Sequence, residues 1–79
     1  MSIQAILYDK GSHVVTIAPG ASLKSAAQRL RDQNIAALVV RSGDAVLGLI
    51  SEREIVHALA RHGESTCGLT VGEVMVRTS

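Results

Sequence analysis

Aromatic side chains are almost absent from this sequence: its 79 residues hold one Tyr, at position 8, and neither Trp nor Phe. A core must then be built from Val, Ile, Leu and Ala, the residues of tightly packed strands and helices. There is also no aromatic platform on which bases could stack. Neither sign of charge prevails, since eight Lys and Arg stand against seven Asp and Glu, scattered along the chain for a net +1. Without a basic stripe to neutralise a phosphate backbone, nucleic acid is not an expected partner. The single cysteine, Cys67, excludes an internal disulfide. Apolar runs are short and broken by Arg41, Asp44 or Gly48, well below the ~20 residues that span a bilayer. The N-terminus shows neither a charged n-region nor an apolar h-region ending in a cleavage site. The expectation is a soluble, cytoplasmic chain in a reducing compartment, with no membrane partner.

What is present is 47% hydrophobic, a globular composition rather than a disordered one. A domain of this size buries only roughly 60% of the surface of its unfolded chain, so a stabilising partner is expected. Ile3, Ile6 and Leu7 recur at helical spacing and predict a short helix over residues 2–9, ended by Gly11. Val14, Val15, Thr16 and Ile17 form a β-branched run that predicts a buried strand, stopped by Pro19 and Gly20. Ser22 suits an N-cap, and Leu23, Ala26, Ala27 and Leu30 then fall on one helical face. Asn34 stands where a left-handed closing residue is needed, and Ala36 to Val40 follow as a second apolar strand. Ser42, Gly43 and Asp44 make a turn into Val46–Ile50, so the second and third strands should form a hairpin. Ser51 opens a further helix carrying Ile55, Val56 and Leu59 and closed by Gly63.

The fold class is α/β, a β-α-β-β-α unit with a short N-terminal helix and a small three-stranded mixed sheet packed by two helices. The strand-helix-strand crossover makes its two strands parallel. Beyond this unit, Val71, Val74 and Met75 repeat the spacing of Ile3, Ile6 and Leu7, and Thr70 with Glu73 forms a capping box. The expected division is a first unit over residues 1–69, with its core at 13–63, and the opening helix of a second unit at 70–79.

Residues 14–63 resemble one CBS motif, from cystathionine β-synthase and its relatives, over their whole length. The resemblance rests on Thr16-Ile17-Ala18-Pro19 leaving the first strand, on Asn34-Ile35-Ala36-Ala37-Leu38 leading into the second, and on Gly48-Leu49-Ile50-Ser51-Glu52-Arg53-Glu54 closing the third. Such motifs occur in tandem pairs, so the resemblance implies that residues 70–79 begin a second, truncated motif. It implies a non-catalytic regulatory module whose partner is another CBS motif, here a second copy in a homodimer. No cofactor is required, and the implied regulatory ligand is an adenine nucleotide such as AMP, ATP or NAD. The family's Gly-x-x-Ser-x-x-Asp pattern meets ribose and phosphate at its last two positions, which carries over to Ser51 and to Glu54, a Glu where the family favours Asp. Arg53 would pair with a phosphate. Thr16, Ile17, Pro19, Ile35, Ala36 and Ala37 would form an apolar slot for adenine.

Each of these residues also has a purely structural reading. Ser51 and Glu54 are a Ser-x-x-Glu capping box, in which each side chain satisfies an orphan N–H. Arg53 in a first helical turn reads equally as solvated surface, and the small Ala residues as packing at a strand end. His57 and His62 are five apart, not the i, i+4 pair of a metal-binding helix, and with His13 and Cys67 they read as surface residues. No Gly-x-Ser-x-Gly elbow and no Gly-x-Gly-x-x-Gly loop is present, so no catalytic residue is expected. Two readings stay open: a nucleotide-responsive module, or a structural dimerisation module without a ligand site.

Overall fold

The computed structural model describes residues 14–78, so the helix expected over 2–9, with Gly11 and His13, lies outside the described residues. Strand β1 covers Thr16–Ile17. After the Pro19-Gly20 turn the Ser22 hydroxyl accepts the Ser25 N–H at 3.1 Å, which caps helix α1, Leu23–Gln33. That helix ends where Asn34 takes the left-handed conformation, φ 53° and ψ 49°, tolerable for a short polar side chain. Strands β2, Ala37–Ser42, and β3, Ala45–Ser51, follow as a hairpin. Its two-residue loop has Gly43 at φ 58°, as tight hairpins demand. Helix α2 spans Glu52–His62. A 3-10 helix over Gly63–Gly68 turns the chain back, held where the buried Thr66 hydroxyl donates to the Gly63 carbonyl at 2.6 Å.

The sheet order is β1-β2-β3-β4, with β1 parallel to β2 and the remaining pairs antiparallel. The sheet is thus four-stranded, where three strands were expected. The fourth strand, Val76–Arg77, comes from the segment read as the opening helix of a second unit. Within that segment the helix, α3, is confined to Val71–Val74, and the chain then extends along β3. The reason is local: Gly48 faces Arg77 across the ladder, and a Cβ at Gly48 would overlap the carbonyl oxygen of Val76. Only a glycine lets the fourth strand come this close. The Thr78 N–H, donating to the Leu47 carbonyl at 3.0 Å, fastens the end.

One face of the sheet carries the core. Ile17, Leu38, Val40 and Ile50 pack there against Leu23, Ala26 and Leu30 of α1, Ala58 of α2, and Val71 and Met75 at α3. Val39, between two core residues, is buried on the other face, as strand alternation requires. There the register aligns Thr16, Val39, Leu49 and Val76 in one row across all four strands. No helix among the described residues is long and apolar enough to cross a membrane.

Replacing Gly48 with Ala should destabilise the fold by about 1–3 kcal/mol, the usual cost of forcing an added methyl into packed backbone. Urea denaturation would measure this, and the Thr78 amide should lose protection from hydrogen exchange. Gly68→Ala is the matched control. Its Cβ would meet nothing within 4 Å, so its stability should stay within about 0.5 kcal/mol of the parent.

Candidate functional site

Strand β3 passes into helix α2 with no loop between them, since Ser51 ends the strand and Glu52 starts the helix. Ser51 remains extended, φ −124° and ψ 174°, so its N–H and hydroxyl both turn toward the first helical turn. Both donate to Glu54 Oε1, the N–H at 2.8 Å and the Oγ–H at 2.5 Å. One carboxylate oxygen thereby closes the helix start, and the negative charges of Glu52 and Glu54 suit the positive end of the helix dipole.

The β2–β3 ladder sets Ala37 directly opposite Ser51, and the Glu52 N–H donates to the Ala36 carbonyl at 3.2 Å. Ile35, Ala36, Ala37, Ser51, Arg53 and Glu54 are therefore gathered at one end of the sheet. Ala36 and Arg53 are exposed, while Ile35, Ala37, Ser51 and Glu54 are half-buried. Thr16, Ile17 and Pro19 are not in this group. Thr16 pairs with Val39 and Ile17 with Val40 in the parallel register, two and three residues beyond Ala37, or roughly 7 and 10 Å along the strand. The Ile17 side chain belongs to the core. Pro19 lies past the strand end, where its carbonyl accepts the Gly72 N–H at 2.8 Å.

Three concavities surround these positions. The first, about 260 Å³, runs from Glu54 along α2 past His57, Ala58, Arg61 and His62 to Glu73 and Val74. Sequence reasoning left His57 and His62 on open surface and passed over Arg61. Their spacing from Glu54, three, seven and eight residues, was the signal that one stripe of the helix carries them all. The second, about 430 Å³, is lined by Thr16, Ile17, Ala18, Ala21, Arg29, Arg41 and Gly43. The third, about 420 Å³, lies between the helices and is mainly apolar, with Ala27, Leu30, Ile55 and Val56 bordered by Arg31 and Glu52. Val56, which lines it, and Leu59, three residues on, are 59% and 56% exposed. Among the described residues no group of three His, Cys, Asp or Glu side chains could hold a metal ion.

The CBS domain family model matches residues 10–61. A solved CBS-domain containing protein from Agrobacterium tumefaciens is similar at 35% identity and a TM-score of 0.83, over 96% of this chain and 62% of that one. A second solved CBS domain, NE2398, matches at 28% identity and a TM-score of 0.80, over 98% of this chain and 61% of its own. The hexameric CBS-CP12 protein of bloom-forming cyanobacteria shares the fold at 24% identity and a TM-score of 0.69, over 81% of this chain and 38% of that chain. The chain thus spans less than two thirds of the length of each of these structures. A search of curated proteins gave no match. Because the family model covers more than half of the sequence, and the fold matches these structures, the chain belongs to the CBS-domain family.

Proposed function

We propose that the chain is a non-catalytic regulatory module that pairs with another CBS motif, here a second copy of itself, and takes an adenine nucleotide at the Ser51–Glu54 end of its sheet. CBS-domain proteins are regulatory or signal-transduction modules, which sets the class of the reading. The observation that carries pairing is the apolar face between α1 and α2. Val56 and Leu59 are more than half exposed there, next to a concavity bordered by Arg31 on one helix and Glu52 on the other. Opposite charges flanking an apolar strip complement themselves across a two-fold axis, Arg31 of one copy meeting Glu52 of the next. The hexameric state of the cyanobacterial CBS-CP12 protein shows that a relative in fold assembles. The segment 70–79 repeats the spacing of residues 3–7 and in this reading opens a second motif.

For the ligand, Ala36 and Ala37 leave room beside the first turn of α2, and a helix start favours ribose and phosphate oxygens once the Ser51–Glu54 cap opens to them. AMP, ATP and NAD share this chemistry. One observation favours a second reading, a dimerisation module with no ligand: Glu54 Oε1 already accepts both donors of Ser51, so the carboxylate is occupied by the helix cap.

Sedimentation should find a dimer at high protein concentration, and Leu59→Glu should give a folded monomer, because an exposed position accepts the charge in one copy and buries it in two. A parent protein that stays monomeric at high concentration would sink the pairing.

Calorimetry with AMP, ATP and NAD on the parent, Glu54→Gln and Glu54→Asp would decide between ligand and cap. Gln keeps an acceptor for Ser51 but loses the charge, so the fold should persist. A charge-assisted ribose contact is worth roughly 1.5–3 kcal/mol, so nucleotide affinity should fall about ten-fold or more. Asp restores the family residue and should tighten binding while slightly lowering the melting temperature. Equal affinities across the series would make Glu54 a cap alone, and no heat from any nucleotide would favour the dimerisation reading.

A further inference from the structure

The geometry points to a phosphoryl-binding site at the opposite end of the sheet from Ser51, in which Arg29 and Arg41 together hold one phosphate group. The two arginines come from different elements, Arg29 from α1 and Arg41 from the hairpin end of β2, and meet across a single concavity. Each is fixed by a backbone carbonyl. Arg29 Nη1 donates to the Thr16 carbonyl and Arg41 Nε to the Gly43 carbonyl, both at 2.6 Å. A guanidinium has five N–H donors in a planar fork, so each keeps donors for an anion after this anchoring, and the anchoring restricts the side chain before any ligand arrives.

Charge separates this concavity from the other two. The groove along α2 includes the carboxylates of Glu54 and Glu73, and the cleft between the helices sets Glu52 beside Arg31. Of these three, only the hairpin-end concavity is lined by two guanidinium groups and no carboxylate. Arg41 Nη2 lies 3.6 Å from Asp44, which is fully exposed. A pair of that length in open solvent contributes little, so a doubly charged phosphoryl group displaces it. Arg31 lies outside this concavity, on the cleft that also holds Glu52. The remaining lining residues, Thr16, Ile17, Ala18, Ala21 and Gly43, bring no charge of their own to the site. The site stands whether or not the ribose reading of Glu54 holds, because free phosphate and the phosphates of a nucleotide offer it the same oxygens.

The test is NMR of the arginine Nε–H signals in the full chain, titrated with inorganic phosphate at constant ionic strength, then with AMP and ATP. Phosphate should shift the Arg29 and Arg41 signals saturably, and Arg29→Gln or Arg41→Gln should each weaken binding about ten-fold. Arg31→Gln should leave it unchanged. If the loss of the Thr16 contact unfolds Arg29→Gln, then Arg29→Lys, which keeps the charge but not the fork, and the exposed Arg41→Gln decide the matter alone. The proposal is overturned if phosphate moves neither signal, if the double Gln variant binds as tightly as the parent, or if Arg31→Gln weakens binding equally, since net charge would then suffice. AMP binding no tighter than phosphate would support the site with free phosphate as its ligand. Tighter binding by AMP or ATP, lost in the arginine variants, would support it with a nucleotide, and only the Glu54 series bears on the ribose.

Discussion

The fold depends on a reciprocal exchange of backbone hydrogen bonds between two helix starts far apart in sequence. The first residue of α1, Leu23, donates its N–H to the Leu69 carbonyl at 3.0 Å. In return the first two residues of α3, Val71 and Gly72, donate to the carbonyls of Ala21 and Pro19, both at 2.8 Å. Helix N-termini leave such N–H groups without partners inside the helix, and here each entry segment satisfies the other's. The exchange fixes the far end of the chain: Val71 is fully buried, Met75 nearly so, and the chain leaves in the one direction that lays Val76 and Arg77 along Gly48. It also explains why Gly72 is a glycine, because a Cβ there would press on the Pro19 carbonyl at 3.2 Å. Closing a loop of this length costs entropy that grows only slowly with length, so three short bonds and two core side chains hold it.

This exchange was not legible in the sequence, and the reason is physical. Backbone donors and acceptors are the same in every residue, so a contact made wholly from them leaves no side-chain pattern. Features that rest on side-chain chemistry were legible: Ser22 as a cap, Asn34 in the left-handed region, Gly43 in the hairpin loop, and Gly63, at φ 59°, ending α2. The apolar strand runs and the helical apolar positions likewise gave Leu38, Val40, Ile50, Leu23, Ala26 and Leu30 as core. The fourth strand escaped notice because two residues cannot display a period. Its signal was indirect, a glycine inside a strand run, which often marks the close approach of another backbone. Gly48 was read instead as part of a motif.

The candidate site was legible as residue types but only partly as geometry. Ala36, Ala37, Ser51 and Glu54 converge because the hairpin register and the loop-free strand-to-helix junction both follow from the local sequence. Thr16 and Ile17 diverge from them because a parallel register is set by a crossover helix, and nothing local to either strand records how far one slides along the other. Arg29 was counted only as scattered charge, and Arg41 only as that and as a break in an apolar run. Twelve positions separate them, and their meeting required the crossover and the hairpin together.

In the proposed module Glu54 ties stability to ligand binding. Its carboxylate satisfies two Ser51 donors at the start of a helix whose face toward the core buries only Ala58 below the exposure of the surrounding residues. What holds α2 is therefore largely its cap, its C-terminal 3-10 turn and the packing of Ala58 and Ile55 on the core. In the proposed module a nucleotide that recruits Glu54 competes with the cap, and pairing through Val56 and Leu59 supplies the packing that the cap gives up. Ligand and partner then act on the same helix from its two sides, each changing the free energy of the other's binding, and such coupling is reciprocal by necessity. A domain this small has no large core to absorb the change. In the proposed module, a change that the ligand makes at the start of α2 would reach the face proposed for the second copy.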